Sequence, residues 1–372
     1  MSRYLFFVSE LYALAILRPL QAAARARGDE IAWFLERESL ARFLHADEMR
    51  MRTVRSAIEW QPRAVFVPGN WVPHFFPGLK VEVFHGFSVG KRSEARGHLR
   101  VRGSFDLYCT QGPDTTEPFL EIQRQLGYFR VEQTGWSKLD PMFALSQQPA
   151  GNFSRVRDSE ASPASGIPRH LPRPGFRSIP RPTIMYASTF TESITSARIL
   201  RETIAASAKQ GEWQWLVTLH PKMAADVVES YRALQGPHLR FVMTDDILEL
   251  YVQADVLLSD TSSVVPEFLT QHKPVVTFRN RRPGPHLLDV QDETDVIPAV
   301  RGALTRPESL MRAIAEYADR IHPYRDGKSS ERVLAATDKA IELGRAGLKR
   351  KPLNVWRRLQ ARQRLGYYGR GG

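Results

Sequence analysis

Hydroxyl-bearing residues crowd the start of one predicted helix. The stretch LLSDTSSVVPEFLTQHKPVVTF, residues 257–278, runs from aliphatic residues into Asp260, Thr261, Ser262 and Ser263 and then resumes an apolar pattern. A helix start carries unpaired backbone N–H groups and a partial positive charge, so hydroxyls there either cap the helix or help to bind a phosphate. Capping uses one hydroxyl, whereas three in a row after an acid favour an anion site.

Two histidines are predicted at strand ends, one in each half of the chain. His85 follows VEVF and precedes Gly86, which allows a tight turn or the close approach of a ligand, and His220 follows WQWLVTL. A neutral imidazole accepts a proton from a hydroxyl, and a cationic one neutralises a phosphate oxygen. The alternatives are a loop histidine beside a solvated basic pair, Lys91 and Arg92, and a histidine that merely enters a helix before proline.

Further polar residues near predicted strand ends are candidates for binding the same anion, and each has a plainer alternative. A glutamate one turn into the helix can bind a ribose or can complement the helix dipole, and a serine-rich loop can bind an anion or form a turn. These candidates are Ser188 and Thr189 in YASTF, Lys222 after His-Pro, Glu267 in VVPEF, and Lys328 and Ser329 in YRDGKSSERVL.

Short apolar runs alternate with helical stretches in both halves, which predicts an α/β fold. Several of the strands are continuous apolar runs, as in parallel sheets covered on both faces. The predicted strands are Tyr4–Ser9, Glu30–Leu35, Ala64–Pro68, Val81–Phe84, Leu107–Thr110, Phe129–Gln133, TIMYAST, WQWLVTL, LRFVMT, ADVLLS and PVVTF. The predicted helical stretches are SLARFLHADEMRMRTVRSAIEW, SARILRETIAASAKQ, AADVVESYRALQ, DILELYVQA and VVPEFLTQ.

The alternation of strands and helices occurs in both halves of the chain, which predicts two Rossmann-like, doubly wound domains that face each other across a cleft. We expect an N-terminal acceptor domain at 1–150, a linker or loop rich in proline, arginine and serine at 151–182, a nucleotide-donor domain at 183–342, and a basic amphipathic tail at 343–372. Ligands of such sheets bind beyond the carboxyl ends of the strands, where the candidate residues lie.

The net charge of +12 is concentrated in the tail, which has nine basic residues and no acid after Glu342. We expect a helix on an anionic membrane surface, because basic residues there surround Trp356 and Leu359. A solvated tail or contact with RNA is the alternative, and a nucleic-acid-binding face over the whole protein is not indicated. The predicted membrane-binding residues are Lys349, Arg350, Lys351, Trp356, Arg357 and Arg358.

The remaining composition is that of a protein in a reducing compartment. The single cysteine, Cys109, excludes an internal disulfide and a zinc site built from several thiolates. No apolar run is long enough to cross a membrane, and Glu10 interrupts the apolar N-terminal stretch, so YLFFVSE is predicted as a strand and not as a signal peptide. No metal cluster is evident, since Asp245 and Asp246 are typical of a helix cap.

The ordered motifs resemble the CDP-glycerol glycerophosphotransferases, which include teichoic acid primases and polymerases. The matching pieces are FHGFSVGK, TGWSKLDPMF, YASTF, LHPKM, SDTSSVVPEF with KPVVTF, and YRDGKSSERV, spread over roughly residues 81–334. The chain departs from the family in Phe87 and Ser88, where Thr-Pro is common, in Thr261, where an aromatic residue is common, and in Pro266-Glu267, where Phe-Asp is typical.

The resemblance implies a two-domain glycosyltransferase fold of the B type, with catalytic histidines at His85 and His220 and donor phosphate at Ser262 and Ser263. It also implies transfer of glycerol phosphate from CDP-glycerol to a hydroxyl of a lipid-linked or glycan acceptor, with release of CMP. No cofactor is predicted. A requirement for a divalent ion is left open, because phosphate groups can supply the ligands of such an ion. We expect a cytoplasmic protein, peripheral on the inner membrane.

Two other functions remain open on the sequence. One is a nucleotide-sugar glycosyltransferase of capsule or lipopolysaccharide synthesis, which would release UDP from a UDP-sugar and not CMP from CDP-glycerol. The other is a non-catalytic nucleotide- or polyanion-binding protein, which would bind CDP-glycerol without turnover.

Overall fold

The computed structural model describes residues 1–87, 99–147, 181–244 and 247–368. Its first sheet has the strand order β3-β2-β1-β4-β5-β6-β7 among these residues, and the strand pairs are parallel. The elements are β1 Arg3–Val8, α1 Tyr12–Ala26, β2 Glu30–Leu35, β3 Arg50–Met51, α2 Val54–Glu59, β4 Ala64–Val67, β5 Leu79–Glu82, β6 Leu107–Thr110, α3 Pro113–Leu126, β7 Arg130–Gln133 and α4 Asp140–Ser146, with 3₁₀ turns at Glu38–Phe43 and Ser137–Leu139.

The second sheet has the order β10-β9-β8-β11-β12-β13, and its pairs are also parallel. Its elements are β8 Thr183–Ser188, α5 Arg201–Gln210, β9 Gln214–Leu219, α6 Ala225–Arg232, β10 Leu239–Phe241, α7 Leu248–Gln253, β11 Val256–Ser259, α8 Val264–Leu269, β12 Val275–Phe278, β13 Leu288–Val290 and α9 Val296–Leu304, with a 3₁₀ turn at Glu293–Asp295; α10 Glu308–Ile321, α11 Ser329–Leu343 and α12 Val355–Arg364 follow.

Each central strand is buried on both faces, which explains its continuous apolar sequence. In β1, Tyr4 and Phe6 pack into one hydrophobic cluster, whereas Leu5 and Phe7 pack into another on the opposite face. Helices therefore cover both sides of the sheet. The predicted α/β class with two Rossmann-like sheets is confirmed, and so is the reading of YLFFVSE as a buried strand.

One helix prediction is wrong. The stretch 39–60 breaks into a 3₁₀ turn, strand β3 and helix α2. The Trp33 backbone N–H donates to the Met49 carbonyl at 2.8 Å, and Arg50 and Met51 pair with β2. Sheet pairing at this edge satisfies backbone groups that a continuous helix would have used internally, so tertiary context overrides the helical spacing.

The chain crosses back to the first sheet near its end. All but the last residue of helix α11 falls in the predicted range 183–342 of the second domain, yet the helix packs against α1, β5 and β6. The Tyr4 hydroxyl donates to Asp338 of α11 at 2.9 Å. The other domain limits stay predictions, and the predicted linker at 151–182 lies outside the described residues except at its last two positions.

Candidate active site

The second sheet gathers three of the predicted motifs at its carboxyl edge. Strands β9, β8 and β11 are neighbours and parallel, so the residues that follow them lie at the same edge of the sheet. The chain order reverses between β8 and β11, which makes this the topological switch point where open α/β sheets bind ligands. His220 follows β9, Thr189 follows β8 and Asp260 follows β11.

Asp260 organises this edge from within the fold. Its side chain is 1% exposed, and its carboxylate accepts hydrogen bonds of 2.9 Å from the backbone N–H groups of Thr189 and Ser196 and from the Ser196 hydroxyl. The carboxylate thus fixes the loop after β8 to the loop after β11. For the predicted donor site, this makes Asp260 a residue that positions other groups.

The hydroxyls that follow Asp260 do not cap helix α8. Ser263 occupies the N-cap position, but its side chain makes no capping hydrogen bond, and its backbone is helical where a capping residue is usually extended. Ser262 is buried beside it. Thr261 accepts a hydrogen bond of 3.0 Å from the Arg281 backbone N–H, which ties the loop after β12 to this edge. The capping alternative therefore does not account for Ser262 and Ser263.

Ser188 adds an unsatisfied hydroxyl at the switch point. Its side chain is 5% exposed, and its oxygen has no hydrogen-bond partner in the described part of the chain. A buried hydroxyl without a partner costs roughly 1–3 kcal/mol, and a bound ligand that hydrogen-bonds to it removes this cost.

His220 is exposed and held in one tautomer. Its Nδ1 accepts a hydrogen bond of 3.0 Å from the Lys222 backbone N–H, and its ring lies 4.3 Å from the Phe190 ring. An accepting Nδ1 in a neutral ring places the hydrogen on Nε2. The Lys222 ammonium lies 5.8 Å from the Phe190 ring centre. Nε2 of His220 is thus a hydrogen-bond donor suited to a phosphate oxygen.

His85 has the opposite tautomer at the edge of the first sheet. Its Nδ1 lies 3.3 Å from the carbonyl oxygen of Pro68, which follows β4, and its ring lies 5.4 Å from the Tyr12 ring. A carbonyl only accepts, so Nδ1 carries the hydrogen and Nε2 of the neutral ring is basic. Phe84, just before His85, has a φ of 56°, a strained conformation that is frequent at functional sites.

Glu267 links the two sheets. Both of its carboxylate oxygens lie 2.8 Å from the Lys138 ammonium of the first half, and the Tyr251 hydroxyl donates to it at 3.0 Å. The Glu267 side chain is 7% exposed. Its predicted contact with a ribose therefore competes with a bidentate ion pair that is already formed.

The late serine-rich loop lies on the first-sheet side. The backbone N–H groups of Ser329 and Ser330 donate to the Asp140 carboxylate at 2.9 and 2.7 Å, so Asp140 caps helix α11. Lys328 is exposed, and its own N–H donates to Asp326. The bonds to Asp140 hold Ser329 and Ser330 against the first half of the chain, in contrast to the predicted donor-binding residues of the second sheet. The bond of the Lys328 N–H is local.

The basic tail folds back onto the first sheet. The Lys351 ammonium lies 2.6 Å from the Asp106 carboxylate and is mostly buried. Lys351 therefore forms an ion pair within the fold, in contrast to its predicted contact with a membrane. Trp356 is 72% exposed, and Lys349, Arg350 and Arg358 are exposed as well. Arg357 is half-buried in a cleft described below.

Several residues of the site were not predicted. Phe190 lies inside the YASTF motif, and Lys138 and Asp140 lie inside TGWSKLDPMF, so all three belong to quoted motifs but had no predicted role. Ser196 and Tyr12 carry no local signal, because their partners are far away in sequence. Only the folded chain brings them to the site.

Some predictions fall outside the described residues or concern features that are not found within them. Lys91, Arg92, Asp245 and Asp246 lie outside the described ranges. Within those ranges, no group of three or more histidine, cysteine, aspartate or glutamate side chains is arranged to hold a metal ion. The helices of the same residues include none with the length and apolar character needed to cross a membrane.

A family model described as CDP-Glycerol:Poly(glycerophosphate) glycerophosphotransferase matches residues 156–282. This range, about a third of the chain, contains YASTF, LHPKM and SDTSSVVPEF, so the resemblance seen in the motifs is confirmed. A search of curated proteins finds none that matches the chain.

Solved structures share the fold over nearly the whole chain. They include the wall teichoic acid polymerase TagF (12% identity, 91% of this chain and 89% of that chain, TM-score 0.58). They also include a putative UDP-N-acetylglucosamine 2-epimerase from Listeria monocytogenes (13%, 91% and 96%, 0.60) and S. aureus MnaA in a co-structure with UDP (16%, 95% and 99%, 0.57). At these identities the likeness shows the fold alone, which is the glycosyltransferase B type.

Proposed function

We propose that this chain, whose resemblance to the CDP-glycerol glycerophosphotransferases is confirmed, transfers glycerol phosphate or a related polyol phosphate. The donor is CDP-linked, the acceptor is a hydroxyl of a cell-envelope glycan or lipid-linked molecule, and CMP is released. One observation carries the proposal: the segment that matches the family supplies the carboxyl ends of the neighbouring strands β9, β8 and β11, and His220, Ser188 and Ser262 lie at or just after these ends.

In this proposal the donor diphosphate lies at the switch point of the second sheet. Ser262, Ser263 and Ser188 donate hydroxyl hydrogen bonds to its oxygens, and Asp260 holds the loop that presents them. His220 donates from Nε2 to a phosphate oxygen, where negative charge grows as the bond to CMP breaks. Hydrogen-bond donors fixed in advance by the fold stabilise that charge without rearrangement.

His85 is the proposed general base. The Pro68 carbonyl holds its Nδ1–H, so Nε2 takes the proton of the acceptor hydroxyl as the hydroxyl oxygen attacks the distal phosphorus of the donor. The new bond is a phosphodiester, the leaving group is CMP, and the proton passes to His85. Proton transfer to a positioned base contributes roughly a hundred- to ten-thousand-fold in rate.

The test is to incubate the purified protein with CDP-glycerol and an acceptor extract, and to measure released CMP. We expect turnover to fall by at least about a hundredfold in His85→Ala. His45→Ala is the matched control, because His45 is an exposed histidine of the same half. A near-normal rate in His85→Ala would remove His85 from the role.

A nucleotide-sugar transferase is the second candidate, because two of the similar solved structures carry UDP or UDP-N-acetylglucosamine in their names. The same incubation with UDP-sugars in place of CDP-glycerol discriminates between the two. Release of UDP but not CMP would replace the first proposal with this one.

A further inference from the structure

A basic cleft opens between the tail and the carboxyl edge of the first sheet. It has a volume of about 780 Å³. Its walls come from the residues after β1 and β4, including Glu10 and Asn70, from Arg100 and Arg102, and from the inner face of helix α12. We call this space the basic cleft.

The charges that line the basic cleft are unbalanced. Glu10 is paired with Arg37, and Asp106 is paired with Lys351, so both acids are already neutralised. Arginines of the cleft that have no carboxylate partner anywhere in the described ranges are Arg100, Arg102, Arg345, Arg357 and Arg358. Such a cluster favours an anionic ligand, since each added cation raises the energy of its neighbours.

The crowding affects the arginines themselves. Burial lowers the pKa of Arg102, and the nearby guanidinium groups of Arg100 and Arg357 lower it further. Arg102 hydrogen-bonds instead to the side chain and carbonyl of Asn70. An anion seated between these guanidinium groups would relieve their repulsion, and guanidinium forks bind phosphate oxygens in pairs.

The basic cleft adjoins the proposed general base. Tyr12 lines the cleft, and its ring lies 5.4 Å from the ring of His85. Gly69, another lining residue, directly follows Pro68, whose carbonyl holds His85. A ligand in the cleft therefore lies next to the position from which an acceptor hydroxyl would be activated.

The tail is fixed as one wall of the cleft. Lys351 is anchored on Asp106, and the Asn354 side chain donates to the Arg102 carbonyl at 3.0 Å. Gly103 has a left-handed φ of 72°, and a Cβ there would lie 2.7 Å from Pro352 and from Asn354. This close contact of tail and loop shows that the tail belongs to the folded structure.

We propose that the basic cleft binds the phosphate groups of an anionic acceptor and that helix α12 contributes to acceptor specificity. This inference rests on the proposed function, because the cleft would orient the acceptor toward His85. The chemistry is that of a phosphate or diphosphate ester, from either a lipid head group or a glycerol phosphate oligomer.

Geranyl diphosphate, a soluble lipid diphosphate, is the first probe, titrated by calorimetry into full-length protein saturated with CMP so that the donor site is occupied. We expect Arg100→Gln/Arg357→Gln to bind it at least about tenfold more weakly, because the variant loses charge-assisted hydrogen bonds to the diphosphate oxygens. Lys209→Gln/Arg240→Gln is the control, since it removes two charges from the exposed surface of the second half. Equal affinity in both variants, or no binding to the unaltered protein, would overturn the proposal.

The source of the phosphate is tested with a second probe. A lipid-free glycerol phosphate oligomer that binds with the same dependence on Arg100 and Arg357 identifies the polymer backbone as the ligand; binding of geranyl diphosphate alone identifies the lipid head group. A single-stranded RNA that displaces either probe at lower concentration would overturn the proposal in favour of nucleic acid.

Failure here is distinguishable from failure of the proposed function. If CMP is released from CDP-glycerol but turnover with anionic acceptors is equal in the cleft variant and its control, the proposed function stands and the cleft assignment falls. If no CMP is released while geranyl diphosphate binding still depends on Arg100 and Arg357, the cleft is an anion site and the proposed reaction falls.

Discussion

The carboxyl edges of the two sheets are built in different ways. Each group at the edge of the second sheet lies within a few residues of the strand that presents it, as His220 does after β9 and Asp260 after β11. The edge of the first sheet is completed by α12, which begins at Val355, 346 positions after Ser9, the first residue of the cleft wall. A local motif can specify the first kind of site, whereas the second requires the whole fold.

The edges also differ in how they would hold an anion. The second edge offers hydroxyls and an imidazole N–H around a buried carboxylate that is fully hydrogen-bonded. The first edge offers guanidinium groups without carboxylate partners in the described residues. Because salt screens exposed charges much more than fixed hydrogen bonds, we expect ligand binding at the first edge to weaken more steeply with ionic strength.

The largest effect is expected where the two edges are joined. Glu267→Gln removes the charge that pairs with Lys138, and the Lys138 ammonium is mostly buried. Breaking a buried ion pair from one side costs about 3 kcal/mol or more, so urea denaturation should show a free energy of unfolding lower by that amount. In the matched control, Lys138→Met/Glu267→Gln, no unpaired charge remains and the loss should be smaller. An unchanged midpoint in Glu267→Gln would show that the pair does not hold the edges together.

The second edge is tested alone by Asp260→Asn. The amide keeps the shape of the carboxylate but cannot accept at both oxygens, so one of the N–H groups of Thr189 or Ser196 loses its partner. We expect a loss of about 2 kcal/mol in the free energy of unfolding, together with weaker binding of CDP-glycerol by calorimetry. Ser196→Ala is the control, because it keeps the carboxylate and its two backbone contacts but removes the hydroxyl that contacts Asp260 and Tyr186. Normal donor binding in Asp260→Asn would contradict its positioning role.

The sequence predicted the fold well because the fold depends on local signals. Continuous apolar runs identified most strands to within two residues, and His220 and Asp260 directly follow β9 and β11 as predicted, while their roles in a donor site stay predictions. The helix prediction over 39–60 is wrong because Arg50 and Met51 pair with β2. The ion pairs Lys138–Glu267 and Lys351–Asp106 could not be predicted either, because each joins residues more than a hundred positions apart in sequence.

The first edge contains a group that should make it sensitive to acid. His322 is fully buried, and its Nε2 accepts a hydrogen bond of 3.0 Å from the Trp136 backbone N–H. Burial lowers the pKa of His322 from 6.5 to about 4. As the pH falls through this window, the unfolded chain binds the proton first, so the stability that the neutral ring contributes is present above pH 6.5 and is lost toward pH 4.

Between pH 7.5 and pH 5 this loss should amount to about 2 kcal/mol in the free energy of unfolding, measured in urea at each pH. His322→Gln can still accept from Trp136 and does not titrate, so its stability should change less over the same range. An equal pH dependence in the two proteins would assign the acid sensitivity to other groups.

The smallest effect is expected on the outer face of the tail, and it separates a membrane surface from the basic cleft. Leu353 and Leu359 are 70% and 53% exposed and do not line the cleft. If the tail lies on an anionic membrane, Leu353→Ser/Leu359→Ser should bind phosphatidylglycerol vesicles about tenfold more weakly in flotation, because apolar burial is lost. Its affinity for geranyl diphosphate should be unchanged.

Arg100→Gln/Arg357→Gln should show the reverse pattern, with a large loss of diphosphate binding and a small loss of vesicle binding. If both variants lose vesicle binding and diphosphate binding together, the inner and outer faces of the tail form one surface, and the contrast between the cleft and the membrane face is wrong.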